Sequence, residues 1–204
     1  AAMTEHGGRA GHSVLDFKPQ NVLAYRQHGY ICLVDCDGFL IRAGNDVFPA
    51  ALATPGYLAP EFHHNFNPHL LDEKQDRFAL AVVIYNLLDN GFHPASGTSS
   101  RLPDGLDARL AMGAVFLDPA SGLTAPSNSH VGFFSDETLS LFQRAFAGHP
   151  NGRPTSKAWK EHLHGVANGM VRCSSNREHW HYGKGCPWCS KAKIQTPAPP
   201  IAPG

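Results

Sequence analysis

The stretch "SVLDFKPQNVLAYRQHGYICLVDCDG", residues 13–38, decides how the rest of the chain is read. It places Asp16, Lys18 and Asn21 within six positions, with Pro19 between them, at the mouth of an apolar run. Residues 21–25 (NVLAY) and 30–34 (YICLV) are β-rich runs separated by Arg26, Gln27, His28 and Gly29, the pattern of a short hairpin. A turn centred near His28 sets Asn21 opposite Asp35 at the open end of the ladder, so that two oxygen donors meet there. Taken alone, an Asp-x-Lys-Pro-x-Asn segment is a polar turn whose Asp and Asn bond to nearby backbone. With the hairpin and Asp35-Cys36-Asp37 behind it, the segment becomes a candidate catalytic and metal-binding site.

Downstream of Asp37 and Gly38, residues 42–62 are punctuated by Gly, Asn and Pro and read as loop. Residues 72–94, "DEKQDRFALAVVIYNLLDNGFHP", have acidic residues at the start, an apolar body including Leu87 and Leu88, and Asn90-Gly91 then Pro94 as a stop. A helix apolar around most of its circumference is buried and organises a core. Residues 98–132 are rich in Gly, Pro, Ser and Asp, with a short helical patch over 107–112. Two amphipathic helices follow. Ser135 caps the first, which ends at Gly148 and Pro150, and Thr155 caps the second, with Trp159, Leu163 and Val166 facing inward.

The bulk composition is that of a globular chain: 204 residues, 42% hydrophobic, 17% charged and a formal net charge of zero. One main domain plus a small appendage fits that length, and no repeat is visible. A neutral balance supplies no electrostatic footprint for nucleic acid. No run approaches the roughly 18 apolar residues of a membrane span, and the first residues lack a signal-peptide layout, so a soluble cytoplasmic protein is expected. The Ala-Ala start suggests a fragment of something longer.

Three of the five cysteines cluster near the end, in "CSSNREHWHYGKGCPWC". Cys186 and Cys189 form a Cys-x-x-Cys pair, and Cys173 with His179 or His181 completes a Cys₃His set suited to tetrahedral Zn²⁺. Metal binding would give so short a segment the folding energy that it lacks in a core. The expected organisation is a first domain over 1–170, a zinc-binding module over 171–192, and a proline-rich linker or disordered tail over 193–204.

In their order along the chain, these pieces resemble the C-terminal lobe of a eukaryotic-type protein kinase. "VLDFKPQNVL" resembles the catalytic loop, "VDCDG" the metal-binding segment, and "ATPGYLAPE" the substrate-docking loop. "DRFALAVVIYNLL" is similar to the central buried helix, and "GRPT" precedes the last helix where such kinases carry an arginine. The implied fold is mainly α with a small β-hairpin, a kinase-like C-lobe plus the zinc module. The resemblance implies Asp16 as base, Lys18 beside the transferred phosphoryl group, and Asn21 and Asp35 as ligands of Mg²⁺ with ATP. It implies that Thr54 bridges the catalytic carboxylate and lysine, as in Ser/Thr-type kinases. It also implies that Glu61 pairs with Arg153 and that Asp76 holds the catalytic-loop backbone from below.

The departures are Val14-Leu15 in place of His-Arg and Asp37 in place of the glycine of Asp-Phe-Gly. The glycine-rich loop and the strand lysine of an N-lobe are not among these residues, so the chain by itself should bind ATP poorly. Lobe and Cys/His cluster together resemble a bacterial group of kinase-like proteins, often described as helix-hairpin-helix or DNA-binding kinases and associated with tellurite-resistance and metal-dependent phosphatase genes. That pattern favours His179 over His181. The implied activity is a Ser/Thr protein kinase acting on a protein substrate. The rival is a pseudokinase scaffold that recruits a phosphatase partner.

Overall fold

The computed structural model describes residues 12–50, 52–146 and 149–190. The proline-rich tail and the Gly148 stop lie outside them. Among the described residues the architecture is mixed α/β: helices around one buried helix, with three two-stranded antiparallel hairpins at the periphery. The single hairpin expected from the sequence is thus one of three.

Strands β1 (Val22–Tyr25) and β2 (Tyr30–Leu33) form the first hairpin, with Val22 opposite Leu33 and Tyr25 opposite Tyr30. The His28 and Gly29 N–H groups both donate to the Tyr25 carbonyl, and Gly29 supplies the left-handed φ of 68° that closes the turn. A four-residue loop has its centre between residues, here Gln27 and His28, not on His28. The Val34 N–H therefore donates to the Asn21 carbonyl at 3.0 Å, and Asp35 stands one residue beyond the pair expected to hold it.

The second hairpin pairs β3 (Ile41–Ala43) with β4 (Asp46–Phe48). Its loop is Gly44-Asn45, with Gly44 at φ 62°. That dipeptide is a two-residue hairpin signal within what the sequence presents as irregular loop.

Helix α1 (Glu73–Leu88) starts at Asp72, whose carboxylate accepts the Lys74 N–H at 2.9 Å. It ends at Asp89, where Asn90 and Gly91 take left-handed backbone at φ 54° and 82°. Phe78, Ala81, Val82, Ile84 and Tyr85 are buried as the apolar run demands, while Leu87 is 78% exposed. The short helix α2 (Leu106–Ala111) lies within one residue of its expected position. Helix α3 (Asp136–Phe146) is capped by Ser135, and α4 (Ser156–Asn168) by Thr155, each hydroxyl accepting the N–H three residues on. Residues 171–190 carry the last hairpin, β5 (Val171–Arg172) against β6 (Trp180–His181).

Aromatic rings fill the space between α1, α3 and α4. Tyr85 meets Phe116, Phe134, Phe142 and Phe146 edge-on, and Phe142 lies 4.9 Å from Trp159. In α4 the buried partner of Trp159 is His162, deeper than Leu163 or Val166, because its Nε2 bonds the Thr138 hydroxyl at 2.9 Å. A smaller apolar cluster joins Leu15 to Leu40, Ala50, Leu58 and Leu71.

Arg153 ties the loop after β4 to this core. Its guanidinium makes a two-pronged pair with Glu61 at 2.6 and 2.8 Å, donates to the Lys74 and Ala145 carbonyls, and lies 5.1 Å from the centre of the Phe78 ring. Glu61→Ala would leave a buried cation without its partner and should cost about 3 kcal/mol of unfolding free energy. Glu61→Leu combined with Arg153→Met should recover part of that loss in urea unfolding. A double variant less stable than Glu61→Ala would contradict this account.

Candidate active site and metal centre

Asp16 is the centre of one constellation. The Lys18 ammonium donates to its Oδ2 at 2.6 Å and to the Thr54 hydroxyl at 2.7 Å. The Thr54 N–H donates to Asp16 Oδ1 at 2.9 Å, and the Asn21 amide donates to Oδ2 at 3.1 Å and to the Asp16 carbonyl at 3.0 Å. Burial alone would raise the Asp16 carboxyl, but the Lys18 and Thr54 hydrogen bonds outweigh it and hold its pKa below the ordinary value. The carboxylate is therefore anionic at neutral pH and already oriented. Pro19 begins the 3-10 turn Pro19–Asn21, which brings Asn21 back over Asp16.

The backbone beneath is strained and held. Leu15 has φ 25°, and the Asp16 N–H turns back to the Val14 carbonyl. Asp76, from inside α1, accepts the Val14 N–H at 3.0 Å and the Leu15 N–H at 2.9 Å. Burial drives its carboxyl up, the two backbone donors oppose it, and the pKa stands at about 7 instead of 3.8.

Asp35 is exposed and left-handed at φ 63°, and leads into the 3-10 turn Cys36–Gly38. The structure joins Asp16, Lys18, Asn21 and Thr54 in one hydrogen-bonded group. Asp35 is not bonded to Asn21 through the ladder; it stands at the start of the turn beyond it. Glu61 and Arg153 meet each other, and Asp76 meets the backbone of residues 14 and 15.

Three positioning residues were not singled out from the sequence. A Cβ on Gly38 would stand 2.7 Å from the Asp16 Cβ, so only glycine lets the turn approach this closely. The Gln75 side chain is fully buried, accepting the Ala59 N–H at 2.8 Å and donating to the Tyr57 carbonyl at 2.8 Å. His93 accepts the Ala95 N–H on Nδ1 and bonds the Gly56 carbonyl through Nε2, and burial lowers its pKa to about 4. Gln75 beside Asp76 on an apolar helix was a readable signal, since a polar residue there must be bonded.

The second constellation is Cys173, His179, Cys186 and Cys189, whose ligand atoms all lie within 4.8 Å of one another. Cys173 and Cys189 sulfurs are 3.5 Å apart, and His179 Nδ1 lies 3.6 Å from Cys186 and 3.4 Å from Cys189. Tetrahedral Zn²⁺ with ordinary bond lengths puts such atoms roughly 3.6–3.8 Å apart, so this donor set could hold a metal such as zinc. Backbone N–H groups of Asn176 and Ser175 lower the Cys173 thiol to about 7, toward the thiolate that a metal takes. His181 lies outside the set.

With both sites described, the relatives bear on them. No family model matches the chain. In an alignment of 202 positions that covers 93% of the chain, it is 27% identical to Protein kinase YegI of Escherichia coli strain K12, and equally to the protein of that name from Escherichia coli O157:H7. The chain is a distant homologue of a protein named as a kinase. It spans about 30% of the length of these relatives. Kinase-like function is supported to that extent, and nothing in either comparison supports a phosphatase partner. Among the described residues, no helix is long and apolar enough to cross a membrane.

The Asp76 shift has a pH consequence. Its pKa is raised on folding, so its contribution to stability is complete below about 4 and is lost as pH rises toward about 7. Asp76→Asn should lower stability at every pH and flatten the decline between those values, read as the urea midpoint against pH. An unchanged slope would show that Asp76 does not titrate there.

Proposed function

We propose that this chain is the C-lobe part of a Ser/Thr-type protein kinase, residues 1–170, followed by a zinc module over 171–192. The observation that carries the reading is the group formed by Asp16, Lys18, Asn21 and Thr54, in which two side chains and the Thr54 backbone N–H converge on one anionic carboxylate. The distant homology to a protein kinase supports it.

In this reading ATP and a protein hydroxyl are the substrates. Asp16 orients the hydroxyl and accepts its proton as the oxygen bonds to the γ-phosphorus and the bond to the ADP oxygen breaks. Lys18, on the same carboxylate, neutralises charge on the transferred group, and Thr54 holds Lys18 and Asp16 in register. The donor set of Asn21 and Asp35, an amide oxygen and an exposed carboxylate, suits Mg²⁺, which when bound would neutralise phosphate charge. Most of the acceleration asked of these residues is alignment, which the bonds around Asp16 supply before substrate arrives.

In the protein that contains this chain, Asp16→Ala should reduce phosphoryl transfer from ATP by about 10²–10⁴-fold while ATP binding persists. Transfer unaffected by that change, in a variant that melts as a folded protein, would remove the assignment.

For the module, one Zn²⁺ per chain is expected, held by Cys173, His179, Cys186 and Cys189. Elemental analysis of the purified chain should find stoichiometric zinc, lost in Cys186→Ser and His179→Ala and retained in His181→Ala. Loss of zinc on changing His181 would overturn the ligand set.

A further inference from the structure

The end of α1, residues 130–134 and the Cys/His module enclose a groove of about 430 Å³ that plays no part in the proposed phosphoryl transfer. Its lining holds no Asp, Glu, Lys or Arg, and includes Leu87, Met170, Trp180, His181, Pro187 and Trp188. Large apolar side chains stand open to solvent along it: Leu87 at 78%, Trp180 at 47%, Trp188 at 43% and Met170 at 39%. Exposed apolar groups gathered in this way mark a contact surface, whereas scattered single ones do not.

The two indoles are held in place. Trp188 meets His130 edge-on at 4.5 Å, and the Arg172 guanidinium covers Trp180 at 5.0 Å from its ring centre. His181 Nδ1, in the same wall, is buried without a hydrogen-bond partner among the described residues. A fixed aromatic, uncharged groove selects an uncharged ligand with flat apolar faces. Proline-rich segments have that chemistry, and they lose little conformational entropy on binding because their backbone is already extended.

Such a segment is present in the sequence. Residues 194–204 read "IQTPAPPIAPG", with four prolines and no charge. Ser190, four positions before Ile194, is the last described residue of the helical turn 187–190 that contributes Pro187 and Trp188 to the groove. The three intervening residues span roughly 10 Å when extended, enough to turn the chain back onto this face. We propose that the groove is the docking site of residues 194–204 of the same chain, bound as an uncharged proline-rich strap. It rests on the groove and the tail composition alone, and stands or falls independently of the kinase reading.

The test uses the whole zinc-loaded chain labelled with ¹⁵N and reads the three indole N–H resonances. Replacing Pro197, Pro199 and Pro200 together by Ala should shift Trp180 and Trp188 and leave Trp159, which is 1% exposed, unmoved. A synthetic peptide of residues 194–204 added to that variant should return both resonances toward their original positions. Leu87→Lys, on the open face of α1, should weaken that peptide at least tenfold. Trp180 and Trp188 resonances indifferent to both the substitutions and the peptide would overturn the proposal. So would a shift that grows with protein concentration, because the occupant would then be the tail of a second copy.

Discussion

Everything near Asp16 depends on a carboxylate that never faces the site. Asp76 projects from the first turn of the most buried helix and takes the N–H groups of Val14 and Leu15, two donors at a strained turn. A buried carboxyl at this depth is costly unless bonded, and a left-handed Leu15 is costly unless held. Each cost is offset by the same two hydrogen bonds. At the end of this turn the buried Asp16 carboxylate is met by Lys18, Asn21 and the Thr54 N–H.

Helix α1 serves the loop after β4 in the same way. Gln75 bonds the backbone of Tyr57 and Ala59, while Arg153 reaches from beyond α3 to Glu61 and to the α1 backbone. Thr54, whose hydroxyl touches Lys18, therefore lies on a segment fixed at Tyr57, Ala59 and Glu61. His93, kept neutral by burial, adds a bond to Gly56. One apolar helix with a few polar side chains thus sets the positions of both segments that meet at Asp16.

The Cys/His module is fastened to this body and is not a free appendage. The Lys184 N–H donates to the Phe133 carbonyl, its ammonium pairs with Asp136, and a Cβ on Gly183 would stand only 2.3 Å from the Phe133 oxygen. Tyr182 stacks on Phe134 in the main core. A metal held at Cys173, His179, Cys186 and Cys189 would therefore stabilise contacts with α3 and the end of α1 as well as the module itself.

Much of this was legible in local chemistry. Apolar runs, caps at Asp72, Ser135 and Thr155, and the Asn90-Gly91 stop depend on neighbours in sequence, so they could be read from it, as could the residue types of both clusters. The Gly44-Asn45 pair is a local signal of the same kind, a two-residue hairpin turn. Register was not: a half-residue change in the turn centre moved Asp35 past Asn21, because pairing depends on how both strands close. The exposure of Leu87 and the need for glycine at 38 rest on which distant segments come together. The sequence by itself determined which chemical groups this protein carries and which helices bear them. Tertiary packing decided which groups meet, since that depends on contacts between residues as far apart as Val14 and Asp76, and no local pattern records them.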